Sequence, residues 1–373
     1  MNSNVHPVVA ALVILLAVAA LGVWMWGSGG AANIGGPSEL RSDPDGHIYV
    51  QMQNHLLEHD SEGRFVKIHD LGDLGVTLFL GSYAFFSDGD ILLRRGPDPR
   101  SLADNIRAFQ RKTNQQSLEP DTPDTGLYRC DLEAKSCTRF GKQAIDFKAA
   151  HGIFIDWQSD EVYIADTTRH VLRKYSAEGD LVAGPVHGFK FPNQLMVFNN
   201  KLLVADTNHH VIRMVDARSA TFGRLLARKD VVPRQAQAAG QTWPSHFARI
   251  SDEWWVNNMS SNMDEGGIYI FDENWQYLRK AALPRHADPI SLIAIGADVL
   301  VSDWNNDRVY RLDSNGERLA DFESEGLQDL MAGAEEARRQ YETYKYLGVL
   351  LFALVLGGLL VRVLAVSMSG KAS

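Results

Sequence analysis

The strongest constraint on this chain of 373 residues is a hydrophobic phrase that recurs along most of its length. It is clearest in Glu161-Val162-Tyr163-Ile164-Ala165-Asp166-Thr167-Thr168-Arg169-His170-Val171-Leu172-Arg173. It returns as Lys201-Leu202-Leu203-Val204-Ala205-Asp206-Thr207-Asn208-His209-His210-Val211-Ile212-Arg213, and again as Asp298-Val299-Leu300-Val301-Ser302-Asp303 followed by Arg308-Val309-Tyr310-Arg311. Weaker copies are Ile48-Tyr49-Val50 with Leu56-Leu57, Ile91-Leu92-Leu93 with Leu127-Tyr128, and Trp254-Trp255-Val256 with Ile268-Tyr269-Ile270. Their centres are Val50, Leu92, Ile164, Val204, Val256 and Val301. Most steps between them are roughly 40 to 50 residues, the period of a four-stranded propeller blade. The one longer step holds a Pro-, Asp- and Gln-rich insertion, 96–126, with a short helical core near Leu102–Gln110. A blade cannot bury its apolar faces alone, so six copies predict an all-β, six-bladed β-propeller over 34–325. Ser61-Glu62-Gly63, Ala177-Glu178-Gly179 and Ser314-Asn315-Gly316 suit tight hairpins between third and fourth strands.

Two apolar runs flank the repeats. Val8–Trp26 carries no charge and is just long enough to cross a bilayer as a helix, ending in the interfacial aromatics Trp24 and Trp26. Leu347–Val361 is also uncharged and continues through Arg362 to Val366; Arg362 can snorkel to the headgroups. The alternative readings are a cleaved signal peptide, with Ala17-Val18-Ala19 as its cleavage site, and a buried core helix. No Lys or Arg precedes the first apolar run, which favours a retained anchor at 1–29. Between 326 and 345, Leu327, Leu330, Met331, Ala334 and Ala337 recur at helical spacing and predict a stalk helix. It leads into a second membrane helix at 346–367 and a tail at 368–373. The flanking charges are nearly balanced and leave the orientation open.

The two cysteines, Cys130 and Cys137, lie on two short strands joined by a turn. A cross-hairpin disulfide is geometrically reasonable there, and disulfides persist in oxidising compartments; two independent thiols are the alternative. The bridge reading places the domain in the periplasm or on another extracytoplasmic side, with both tails in the cytoplasm. The formal net charge of −9 argues against a nucleic-acid partner, since neutralising phosphates needs clustered Lys and Arg.

Asp166, Asp206 and Asp303 each end a second strand, and Arg173, Arg213 and Arg311 follow on the third. Residues repeated once per blade serve each blade structurally, so these carboxylate–guanidinium pairs are expected to tie blade to blade. His209-His210 looks like a metal pair, but adjacent residues in a strand or tight turn point apart.

The phrase ending Ala-Asp-Thr-x-x-His-Val-Ile/Leu-Arg resembles the NHL repeat, which forms six-bladed propellers. From about Gly36 to Leu319 the chain is also similar to the strictosidine synthase-like and gluconolactonase-type propellers. That resemblance rests on Gly36-Pro37-Ser38-Glu39-Leu40, Phe191-Pro192-Asn193-Gln194-Leu195 and Trp243-Pro244-Ser245-His246-Phe247. It implies a divalent metal, often calcium, at the mouth of the central channel. Carried over position by position, Glu39 and Asn193 match the oxygen ligands, while Gln194, Ser245 and His246 depart from the pattern. His151 stands at the corresponding start of the third blade. Imidazole suits zinc or copper better than calcium, so the ligand set is depleted. The leading expectation is a membrane-anchored module that binds a protein or glycan partner. The alternative is a metal-dependent lactone or ester hydrolase with His151 or His246 as general base, or a strictosidine synthase-like enzyme.

Overall fold

The computed structural model describes residues 7–32, 34–76, 79, 81–96, 125–142, 145 and 151–369. The insertion assigned to 96–126, with its helical core, falls almost wholly outside the described residues. By its contacts the chain divides into a unit at 36–327 and a second unit made of 1–35 and 328–373.

The first unit is a six-bladed β-propeller of six antiparallel meanders. The first strands are Pro37–Ser42, Ala84–Phe85, His151–Asp156, Pro192–Phe198, Gln241–Ile250 and Pro289–Ile295. The second strands are Ile48–Met52, Ile91–Arg95, Glu161–Asp166, Lys201–Asp206, Glu253–Ser260 and Asp298–Asp303. The third strands are His55–His59, Gly126–Asp131, Val171–Tyr175, Val211–Asp216, Gly266–Phe271 and Arg308–Leu312. Five blades end in a fourth strand: Phe65–Asp70, Ser136–Arg139, Leu181–Val186, Leu225–Asp230 and Tyr277–Lys280. In blade 6 the fourth strand shrinks to a single bridge, Leu312 to Arg318. The predicted hairpins lie between third and fourth positions, where Gly63, Gly179 and Gly316 all take φ +85°, a conformation that penalises a Cβ. First strands pack against first strands of neighbouring blades, so they line the axis.

The second strands are apolar on both faces because each is covered on both faces. Val162 and Ile164 pack with Leu92 and Leu127 of blade 2, while Tyr163 and Ala165 pack with Leu202 and Val204 of blade 4. Blades 4 and 5 meet through Leu203, Ala205, Trp254 and Val256, and blades 5 and 6 through Trp255, Ile270, Val299 and Val301. Trp254 also stacks on Trp275 at 4.5 Å between ring centroids. The core is therefore a series of apolar layers at the junctions from blades 1 and 2 through blades 5 and 6.

Ring closure uses hydrogen bonds between the first and last blades. Ser291 Oγ donates to the Leu40 carbonyl at 3.3 Å, and Ser302 Oγ donates to the Ser38 carbonyl. Beyond the third strand of blade 6, Leu319 and Phe322 donate their amides to Arg311 and Val309, each at 2.9 Å. Phe322 then meets the ring of His59 in blade 1, whose Nε2 lies 2.8 Å from Ser324 Oγ.

The repeated carboxylates act within blades. Arg173 Nη1 reaches Asp166 at 3.2 Å and Arg213 Nε reaches Asp206 at 2.6 Å, in each case across adjacent strands of one sheet. Asp206 also accepts from the Lys190 amide at 2.7 Å, so it fixes the connector arriving from blade 3. The Asp206–Arg213 pair therefore anchors blade 4 to its own lead-in, and Asp166 also holds the Arg169 amide and side chain of its own turn; these contacts lie within a blade and its lead-in, where a tie from blade to blade was expected. The third expected pair does not form. Arg311 bonds Asp298 at 2.6 Å, and Asp303 instead caps its turn through the Asn306 amide and side chain. The cause is the period of two along a strand. Ile164 faces Arg173 and Val204 faces Arg213, but the corresponding Val301 faces Tyr310: the turn has the same length in all three blades, and the arginine comes one position later on the third strand, so Arg311 falls on the other face.

Cys130 and Cys137 are paired directly across the third and fourth strands of blade 2 and are joined by a disulfide. His209 Nδ1 lies 2.8 Å from Asp206 and His210 Nδ1 lies 2.7 Å from the Thr242 carbonyl, so the two imidazoles do diverge.

In the second unit, helix α1 (Pro7–Ala32) and helix α2 (Glu325–Ser369) are long and apolar enough to cross a membrane. The stalk and second apolar run form one uninterrupted helix. Trp26 packs between Tyr341 and Tyr344, at 5.5 and 4.8 Å between centroids, and Arg338 donates to the Ile34 carbonyl at 3.0 Å. Gly27 lies against the backbone of Tyr341 and Lys345, and Gly348 against that of Trp24. Contacts move up α2 as they move down α1, so the pair is antiparallel.

Two substitutions test the ion-pair assignment. Asp206→Ala leaves Arg213 buried without its carboxylate and is expected to cost about 3–5 kcal/mol. Arg311→Ala removes a side chain that is 44% exposed and is expected to cost about 1 kcal/mol or less. Denaturant unfolding of the two variants checks the contrast; equal losses would contradict it.

Candidate functional site

Glu39 and Arg41 sit two apart on the first strand of blade 1 and therefore point to the same side. The Glu39 carboxylate pairs with the Arg41 guanidinium and accepts from Ser82 Oγ at 2.8 Å. Arg41 also donates to Ser82 Oγ at 2.9 Å and, through Nε, to the Tyr83 carbonyl at 3.1 Å. This knot joins the first strand of blade 1 to the lead-in of blade 2. Burial raises the Glu39 pKa, with Arg41 and Ser82 pulling the other way.

The other predicted residues each have their own partners. Asn193 Nδ2 donates to Thr207 Oγ1 at 2.8 Å, and Thr207 donates onward to the Pro244 carbonyl at 2.7 Å, linking blades 4 and 5. His246 Nδ1 lies 3.2 Å from Ser245 Oγ. Burial and then the nearby Arg41 charge push the His246 pKa down to about 3. His151 is buried, and its ring lies against Gly81, where an added Cβ would come within 2.2 Å of it. Gln194 accepts from the Phe247 amide and so stitches blade 4 to blade 5.

A divalent cation with oxygen ligands does not fit this arrangement. Glu39 would have to be the principal anionic ligand, yet it already bonds a guanidinium held by two further acceptors. Asn193 bonds Thr207 through Nδ2 and keeps Oδ1 as a neutral oxygen donor, while His246 offers a nitrogen donor beside the same Arg41 charge. Such a set lacks the several free hard oxygens that calcium takes. An imidazole with a pKa of about 3 is also a weak general base near neutral pH.

Arg41 and Ser82 are the residues that sequence reasoning missed here. Arg41 was within reach of the sequence, since the period of two places it beside Glu39. Ser82 was not, because it arrives from the neighbouring blade. A second missed residue is Asp288, at the lead-in to blade 6. It is buried near Asp303 and Asp264, and burial followed by their like charge lifts its pKa to about 7.

No protein-family model matches the chain, and no curated protein matches it. Among solved structures it is similar to virginiamycin B lyase from Staphylococcus aureus, with 12% identity and a TM-score of 0.47 over 76% of this chain and 83% of that one. It is similar as well to a chain in a nidogen/laminin complex, with 14% identity and a TM-score of 0.47 over 78% of this chain and 95% of that one. Likenesses at this level carry no functional inference.

The two perturbed groups give opposite pH dependences. The folded pKa of Asp288 is raised, so its contribution is present at low pH and is lost as pH rises through about 7. The folded pKa of His246 is depressed, so its contribution is present above about 6.5 and is lost as pH falls toward about 3. In melting curves between pH 4 and 7, the advantage of Asp288→Asn over the parent should grow with pH. The advantage of His246→Gln should shrink over the same range. Differences independent of pH would contradict both assignments.

Proposed function

We propose that the protein is a membrane-anchored module whose propeller binds a partner through the face carrying the turns between second and third strands. The observation that carries this reading is the Glu39–Arg41–Ser82 knot, which commits the matched carboxylate to holding blades together. Hydrolysis of a lactone or ester with His151 or His246 as base has no comparable support, because the Glu39 carboxylate is held by Arg41 and Ser82 and His246 is a poor proton acceptor.

The turn face offers what a partner needs. Trp304 is 40% and Met263 39% exposed there, with Trp243 and Phe191 half buried nearby in sequence order around the ring. Exposed aromatic and Met side chains on a rigid scaffold are favoured contact groups. The partner is a protein or a glycan on the extracytoplasmic side, with both membrane helices retained and the tails in the cytoplasm. The Cys130–Cys137 bridge supports that side.

A photo-cross-linking residue at Trp304 in native membranes tests the reading, with Trp157 on the opposite face as control. Adducts are expected from position 304 and not from 157. Protease-sensitive adducts identify a protein, and glycan binding lost in Trp304→Ala identifies a glycan. Equal labelling from both faces, or none from either, would contradict the proposal.

A further inference from the structure

We propose that Glu58, His69 and Glu133, with His47 beside them, bind a zinc-class divalent cation at the outer edge of the junction between blades 1 and 2. The cluster lies on the third and fourth strands of blade 1 and the outer turn of blade 2, away from the axial first strands, and does not depend on the binding-module reading.

Strand register builds the first half of the site. Glu58 on the third strand of blade 1 faces Tyr49 on one side and Lys67 on the other. Two residues past Lys67, His69 returns to the same face. Its Nε2 lies 2.7 Å from Glu58 Oε2, while His47 Nδ1 lies 3.2 Å from Glu58 Oε1. The Glu58 side chain is only 8% exposed, so this is a buried carboxylate flanked by two imidazoles and not a solvated acidic patch.

Blade 2 supplies the second half. Its hairpin turn after Asp131 carries Glu133, and Asp131 fixes that turn by accepting from the Glu133 and Ala134 amides, each at 2.8 Å. The Cys130–Cys137 bridge closes the base of the same hairpin. The ligand atoms of Glu58, His69 and Glu133 all lie within 4.8 Å of one another. Lys67 currently answers their charge: its ammonium bonds Glu133 and lies 3.9 Å from Glu58. Lys67 is 38% exposed and can swing into solvent. A cleft of about 230 Å³, lined in part by Lys67, His69, Glu133 and Lys135, opens onto the His69 and Glu133 side of the cluster.

The donor chemistry selects the ion. One imidazole and two carboxylates, with a second imidazole adjacent, form the mixed nitrogen and oxygen set that zinc takes in tetrahedral geometry. Calcium and magnesium prefer all-oxygen sets. Bound metal would clamp blade 1 to the disulfide hairpin of blade 2.

The test titrates zinc chloride into the full-length chain, purified in detergent and stripped with chelator, against a chromophoric zinc indicator. One zinc per chain is expected. His69→Ala and Glu133→Gln should each weaken binding about tenfold or more, the latter with the fold intact because Glu133 lies on an exposed turn. Lys67→Ala should tighten binding, since the competing ammonium is gone. No stoichiometric zinc, or affinities unchanged in all three variants, would overturn the proposal.

Discussion

The structure depends on second strands that are buried on both faces. In an ordinary antiparallel sheet one face meets solvent and the sequence alternates. Here Val162 and Ile164 face one neighbouring blade while Tyr163 and Ala165 face the other, and the pattern continues through Leu202–Ala205 and Trp254–Val256. No blade can satisfy both faces by itself, so the free energy of any one blade is bound up with two others. That demand forces a ring, and a ring must close. Closure falls to Ser38, Ser291 and Ser302 near the axis, and to Phe322 and Ser324 against His59 further out.

Stacking in this way leaves the first strands around a narrow axis, where polar groups from different blades crowd together. Buried polar groups there must be paired, and an orphaned one is costly. Glu39 meets that requirement with Arg41 and Ser82, the Asn193 amide nitrogen with Thr207, and the Asn257 amide nitrogen with Ser245 at 3.0 Å. Each of these pairs also connects strands or blades. The axial groups thus serve cohesion first, and the recognition surface proposed above lies on the turns.

The propeller was legible in the sequence because its demand for two-sided burial writes continuous apolar strands at a fixed period. The hairpin glycines were legible because a positive φ selects them. Detail failed where an arginine moved by one position: Asp303 and Arg311 looked like Asp206 and Arg213, but with a turn of the same length Tyr310 stands opposite Val301 and Arg311 falls on the other face. At the axis, Glu39 was found through its resemblance to a metal ligand, and Arg41 was passed over although it shares the same side of the strand. The Glu58, His69 and Glu133 cluster could not be read from spacing at all, because it assembles only when a turn of one blade meets the face of another.

The central claim is that Glu39 is a structural partner of Arg41 and not a metal ligand. Thermal unfolding of the full-length chain with and without millimolar calcium tests it directly, since a cation that binds only the folded state raises the melting temperature. The account predicts no calcium-dependent shift in the parent and none in Glu39→Gln. A rise with calcium in the parent that disappears in Glu39→Gln would contradict it.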